Sequence, residues 1–74
     1  MEKFIELLAE QFEDMDIALL KPETRFRELE EWSSLVALLV ITMVDDEYGV
    51  VLPPEEMRKT QTIQELFDLV QSKL

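Results

Sequence analysis

One run of residues constrains the fold more than any other: Leu35-Val36-Ala37-Leu38-Leu39-Val40-Ile41-Thr42-Met43-Val44, ten positions with one hydroxyl and no charge. A run this apolar reads as a buried strand or as a helix. It does not stop at Val44. It continues through Asp45-Asp46-Glu47-Tyr48 to Gly49, the only glycine in the chain. Glycine is the residue best suited to the left-handed conformation that closes a helix. The fifteen residues from Ser34 to Tyr48 exceed an ordinary strand, and Ser33 or Ser34 supplies an N-cap. β-Branched side chains in the run weigh the other way, but length and punctuation outweigh them. The pattern predicts a helix over Ser34–Tyr48.

The remaining elements follow from the same signals. Phe4, Leu7, Leu8 and Phe12 recur at helical spacing, with Ile5 on the flank and Glu2, Glu6, Glu10 and Glu13 opposite, which predicts a first helix from Glu2 to about Asp14. The segment from Met15 to Ser33 is long for a loop, so short helical turns are expected within it, with Lys21-Pro22-Glu23-Thr24 as a turn. Phe26, Leu29, Ile17 and Leu20 are its expected anchors in the core. Pro53-Pro54 starts a short helix through Arg58. Thr62-Ile63-Gln64-Glu65 has the form of a capping box, and the last helix runs from Ile63 to about Ser72 with Ile63, Leu66, Phe67, Leu69 and Val70 facing inward. The fold class is all-α, a small four-helix bundle with three main helices and one short helix. The chain reads as a single domain over residues 1–74.

Composition narrows the function. Seventeen acidic residues against seven basic ones give a formal net charge of −10, and there is neither Cys nor His. That excludes a disulfide framework, a thiol nucleophile, the usual zinc sites and a Ser–His–Asp triad. Such a charge repels phosphate backbones and anionic membrane surfaces, so neither nucleic acid nor membrane is an expected partner, whereas basic protein surfaces are. The ten-residue apolar stretch is too short to span a bilayer, and Met1-Glu2-Lys3-Phe4 does not open a signal peptide. A cytoplasmic monomer is expected. Hydrophobic residues at 47 % separate the chain from disordered acidic tails. Asp45-Asp46-Glu47 lacks the spacing of a calcium loop, and a chain of this size is not expected to hold a catalytic pocket or to be an enzyme.

At the Trp32-Ser33-Ser34-Leu35 junction the sequence resembles the acyl carrier protein family, including peptidyl and D-alanyl carrier domains. Ser34-Leu35 matches the Ser-Leu of that family's motif at the start of its second helix. Tyr48-Gly49-Val50 matches its aromatic-Gly-Val step. Phe26-Arg27-Glu28-Leu29, Leu52-Pro53-Pro54-Glu55-Glu56 and Thr62-Ile63-Gln64-Glu65-Leu66 match the flanking pieces in order. The ordered set, covering nearly the whole chain, carries the resemblance. It implies an acyl-carrier-protein-like fold in which Ser34 bears 4′-phosphopantetheine, covalently attached from coenzyme A. The cofactor's thiol would hold acyl or aminoacyl groups as thioesters. The implied partners are a phosphopantetheinyl transferase, an acyl- or aminoacyl-loading ligase or transferase, and a downstream synthase or transferase of fatty-acid, polyketide or secondary-metabolite biosynthesis.

The chain also departs from the family pattern. Ser33 stands where the family usually has Asp, and Val36 and Leu39 stand where acidic residues are common, so the acidic stripe of the second helix is kept mainly at Asp45, Asp46 and Glu47. Ser33 remains a competent cap. Val36 and Leu39 read either as core residues or as an exposed apolar patch, with exposure favoured because a helix apolar on nearly all sides is hard to bury in so small a domain. Trp32 is either a cover of the core or an interface anchor. The expected docking residues are Trp32, Leu35, Val36, Leu39, Asp45, Asp46 and Glu47. Two functions stay open: a modified carrier, and a carrier-like module that is never modified and binds proteins.

Overall fold

Gly49 closes the apolar helix by adopting φ 65° and ψ 27°, with its N–H donating to the Asp45 carbonyl over 2.9 Å. A side chain at this position would meet no neighbour, so backbone conformation alone selects glycine. The computed structural model describes residues 1–74 as four α-helices and no strands: α1 (Glu2–Ala9), α2 (Ser34–Tyr48), α3 (Pro54–Met57) and α4 (Ile63–Ser72). The expected helical bundle, with three main helices and one short one, is what forms. No helix is long and apolar enough to cross a membrane.

α2 is the axis of the core. Val36, Val40, Met43 and Val44 are buried on it, at the i, i+4, i+7 and i+8 spacing of one helical face. Phe4 and Leu8 of α1 and Ile63, Leu66 and Val70 of α4 belong to the same buried cluster. Phe4 is tilted against Phe67 at 5.2 Å and against Tyr48 at 6.1 Å, so one ring joins three helices.

α1 ends at Ala9, five residues short of the expected Asp14. The Gln11 and Phe12 amides donate to Leu8 and Ala9, three residues back, so the helix tightens as it stops. Its last turn has no basic residue, and Glu10, Glu13 and Asp14 crowd the negative end of the dipole. Phe12 nevertheless stays buried, carried inward by the tightened turn.

The segment between α1 and α2 contains two 3₁₀ turns, Ile17–Leu19 and Phe26–Glu28. Leu20 and Phe26 anchor it in the core, and Leu29 is half-buried. Ile17, expected beside them, is instead 46 % exposed. The Asp16 carboxylate, which must stay in water, caps that turn through the Ala18 amide and keeps Ile17 at the surface. The expected turn at Lys21–Thr24 closes through Thr24 N–H to Lys21 carbonyl, and its Pro22 and Thr24 carbonyls accept the Gln64 and Ile63 amides. The loop thus satisfies first-turn donors of α4 that the helix itself leaves open.

The capping box forms as expected. The Glu65 amide donates to Thr62 Oγ1 at 3.1 Å, while Glu65 Oε1 accepts from the Thr62 and Gln61 amides at 2.9 and 2.8 Å. Those backbone donors, Thr62 first, hold the Glu65 carboxyl below its ordinary value of 4.5. A depressed folded-state pKa adds stability that is present above the unfolded value and lost as pH falls through the folded one. Thermal melts from pH 5 downward should therefore show a smaller acid destabilisation in Glu65→Gln than in the wild type. Equal acid limbs would contradict this role for Glu65.

Candidate functional site at the start of helix α2

Two adjacent serines begin α2, and the fold gives them different tasks. Ser33 is the N-cap, with φ −147° and ψ 172°, and its Oγ accepts from the Val36 amide at 3.2 Å. Its carbonyl accepts the Ala37 amide. Ser34 is the first helical residue, and it is solvent-exposed. Its hydroxyl makes no hydrogen bond within the protein, nor do the amides of Ser34 and Leu35. A free hydroxyl therefore sits beside unpaired N–H donors at the positive end of a fifteen-residue helix. That is a favourable place for an attached anion.

A groove of about 480 Å³ leads from the serines along the face between α2 and α3. Ala37, Leu38 and Ile41 line one side, and Pro54 and Met57 the other. Trp32 closes the end near Ser33. Its ring stands edge-on to Phe26 at 5.0 Å and 65°, and tilted to Phe12 at 6.3 Å. Trp32 is thus both a partial cover of the core and a wall of the groove. α3 is held in place by Thr60, whose buried hydroxyl donates to the Met57 carbonyl, and by an ion pair of 3.1 Å between Lys73 and Glu56.

Arg27 and Arg58 line the same groove. Neither belongs to an ion pair, although the chain has seventeen carboxylates. Arg27 Nε is buried without any acceptor. The rest of the basic set is spent elsewhere or lies outside the groove: Arg25 faces Glu28 at 3.6 Å, and Lys73 faces Glu56. Sequence reasoning missed both arginines. They are far apart in the chain and only folding brings them to one groove; their rarity in so acidic a chain is the one signal that could have drawn attention to them.

The expected docking residues divide. Leu35 is 64 % exposed and Leu39 is 38 % exposed, and Leu38, not singled out from the sequence, joins them at 60 %. Val36, expected to be exposed with Leu39, is instead a core residue at 8 %. It lies four residues before the fully buried Val40, on the core side of α2, which removes it from any partner's reach. Asp45, Asp46 and Glu47 are exposed at the far end of α2, with Asp45 about 16 Å along the axis from Ser34 at 1.5 Å per residue. Carboxylates in a last turn oppose the helix dipole, and no basic residue offsets them here. A wider, acidic depression of about 630 Å³ lies around Glu10, Glu13, Asp14 and Asp16 at the end of α1. It shares no residue with the Ser34 groove.

Comparison with known proteins places these features in a family. The family model described as the phosphopantetheine attachment site matches residues 2–70. An acyl carrier protein of Thermosynechococcus vestitus is 31 % identical over 74 residues, covering 100 % of this chain and 90 % of that protein. The polyketide-8 synthase acyl carrier protein 2 of Streptomyces avermitilis is 33 % identical over 73 residues, covering 99 % of this chain and 83 % of that protein. An acyl carrier protein of Myxococcus xanthus is 27 % identical over 56 residues, covering 76 % and 71 %. No solved structure matches the chain at a significant level.

Proposed function

This chain belongs to the acyl carrier protein family, whose members have a phosphopantetheine attachment site, and on that premise we propose that Ser34 is the attachment residue of a carrier protein. The observation that carries the reading is the division of labour between the two serines. Ser33 Oγ is committed to the helix cap, while Ser34 Oγ is exposed and free of internal hydrogen bonds. The fit to the cofactor rests on the unpaired first-turn amides, the apolar lining of the groove and the orphaned Arg27 Nε beside it.

In the attachment step, Ser34 Oγ attacks the pyrophosphate of coenzyme A and loses its proton. A new O–P bond forms, the P–O–P bridge breaks, and adenosine 3′,5′-bisphosphate leaves. The transferase supplies the acid–base chemistry. This chain supplies an accessible hydroxyl, held at a fixed place by the Ser33 cap, and donors for the phosphate oxygens. When bound, the arm contributes the thiol that a chain without cysteine lacks, and with it thioester linkage to an acyl or aminoacyl group. Tethering then raises the effective concentration of that group at whichever enzyme docks. The protein itself acts as carrier rather than catalyst: the groove presents two guanidinium groups, Arg27 and Arg58, which donate hydrogen bonds, and no carboxylate or imidazole.

Docking is assigned to the exposed face of α2. Leu35, Leu38 and Leu39 form an apolar centre, flanked by Glu30 and Glu31 on one side and by Asp45, Asp46 and Glu47 on the other. The matching partner has an apolar socket with basic margins, which suits enzymes of a dedicated pathway rather than ones that read a continuous acidic stripe. These partners are the transferase, a loading ligase or transferase, and a downstream synthase or transferase.

Incubation with coenzyme A and a promiscuous phosphopantetheinyl transferase tests the reading. The intact mass should rise by one phosphopantetheine unit, and Ser34→Ala should abolish the gain. Persistent failure with several transferases would favour an unmodified protein-binding module instead.

A further inference from the structure

We infer that Arg27 and Arg58 form a built seat for the phosphodiester of the arm, so that the arm is held in the α2–α3 groove rather than left free in solvent. The inference rests on attachment at Ser34 and goes beyond it, because attachment needs only an exposed hydroxyl. Five of the seven basic residues lack an ion pair, and the two of these that are arginines both line the groove that contains Ser34. Arg25 and Lys73 pair with carboxylates, whereas Arg27 and Arg58, like the three remaining lysines, do not.

Arg27 supplies the stronger half of the observation. Its Nε is removed from water and has no acceptor. Buried donors are nearly always satisfied, so Arg27, which lines the groove, carries unmet hydrogen-bonding capacity. A phosphodiester oxygen is an acceptor of the right charge, and a guanidinium presents its donors in a fork that fits phosphate. Arg27 sits on the 3₁₀ turn anchored by the fully buried Phe26, so its backbone is fixed relative to the core. Arg58 is exposed, immediately after α3, and approaches from the opposite wall. With the free amides of Ser34 and Leu35, the groove offers donors from α2, from its preceding turn and from α3.

The seat changes the sign of a measurable quantity. Adding a phosphodiester brings one more negative charge to a protein already at −10, which by self-repulsion alone lowers stability. A phosphate paired with two arginines raises it instead. We expect the wild-type holo protein to melt about 2–5 °C above the apo protein at low salt, given the usual size of partly exposed ion pairs in a domain this small. The gap should shrink as salt is added.

The test uses ¹⁵N-labelled apo protein and holo protein whose conversion has been verified by intact mass. The expected result is displacement of the Arg27 and Arg58 Nε–H resonances on conversion, together with the higher melting temperature. In Arg58→Gln the gap should narrow, and in Arg27→Gln/Arg58→Gln the holo form should melt below the apo form. Because the resonance comparison is made within the wild type, it stands even if the double variant folds poorly. Full conversion with neither resonance moved, and holo melting at or below apo, would overturn the seat while leaving attachment intact. Absence of any mass gain would overturn attachment, and the seat with it.

Discussion

Phe26→Ala is expected to leave the domain largely unfolded at 37 °C. Phe26 is fully buried, and truncating such a ring costs about 3–5 kcal/mol. A domain of this size has a total stability on the order of 5 kcal/mol, so the loss consumes most of it. The damage also falls beside the candidate site. Phe26 holds the 3₁₀ turn that carries Arg27, and its ring supports Trp32 at the mouth of the groove. Urea titration followed by circular dichroism should show the transition of Phe26→Ala moved to near zero denaturant. Leu38→Ala, in contrast, should stay within about 0.5 kcal/mol of wild type, because its side chain is mostly in water. A Phe26→Ala protein that loses less than about 1 kcal/mol would show that the turn before the site is not held by the core.

The second large effect is expected at Leu35, without any change in stability. If a partner's apolar socket buries this side chain, its loss removes about 1.5–3 kcal/mol of binding, or roughly ten- to hundredfold. The kcat/KM of the loading enzyme of the same pathway towards holo Leu35→Ala should fall by that factor, with an unchanged melting temperature. Leu39→Glu places a carboxylate where the family resemblance implies an acidic residue. It should weaken the dedicated partner and improve recognition by enzymes that read acidic helices. Val36→Glu, at the other position of this kind, should instead unfold the protein, because Val36 is in the core. Asp45→Asn is expected to act chiefly on the association rate and its salt dependence. Loading kinetics indifferent to Leu35 and Leu39 would remove α2 as the docking face.

These contrasts mark how far the sequence could be read. α2 was legible to the residue because its ends are chemical: a serine that caps and a glycine that alone tolerates the closing conformation. α4 was legible for the same reason, through Thr62 and Glu65. α1 was overextended, since apolar spacing continued to Phe12 after the helix had ended, and the acidic residues that end it carry no strict boundary signal. The burial of Val36 was not legible. A helix apolar on almost every side has no preferred face, and only the packing of α1 and α4 against it chooses one. Ile17 was misplaced because its spacing to Leu20 suggested a shared core role, whereas the Asp16 cap keeps it in water. Of the candidate site, Ser34 was proposed from family resemblance, and its difference from Ser33 was legible only from hydrogen bonds. The groove, Leu38 and the two arginines depend on tertiary contact between α2, α3 and the turn before α2.

The central claim is that the second of two adjacent serines, and not the first, carries the cofactor. Peptide fragmentation by tandem mass spectrometry on the modified protein tests it most directly, because fragment ions that break between Ser33 and Ser34 assign the added mass to one of them. The expected result is phosphopantetheine on Ser34 alone, with Ser33→Ala still modified but less stable by about 1 kcal/mol through loss of its cap. Phosphopantetheine on Ser33, or on Ser33 once Ser34 is replaced by alanine, would contradict it.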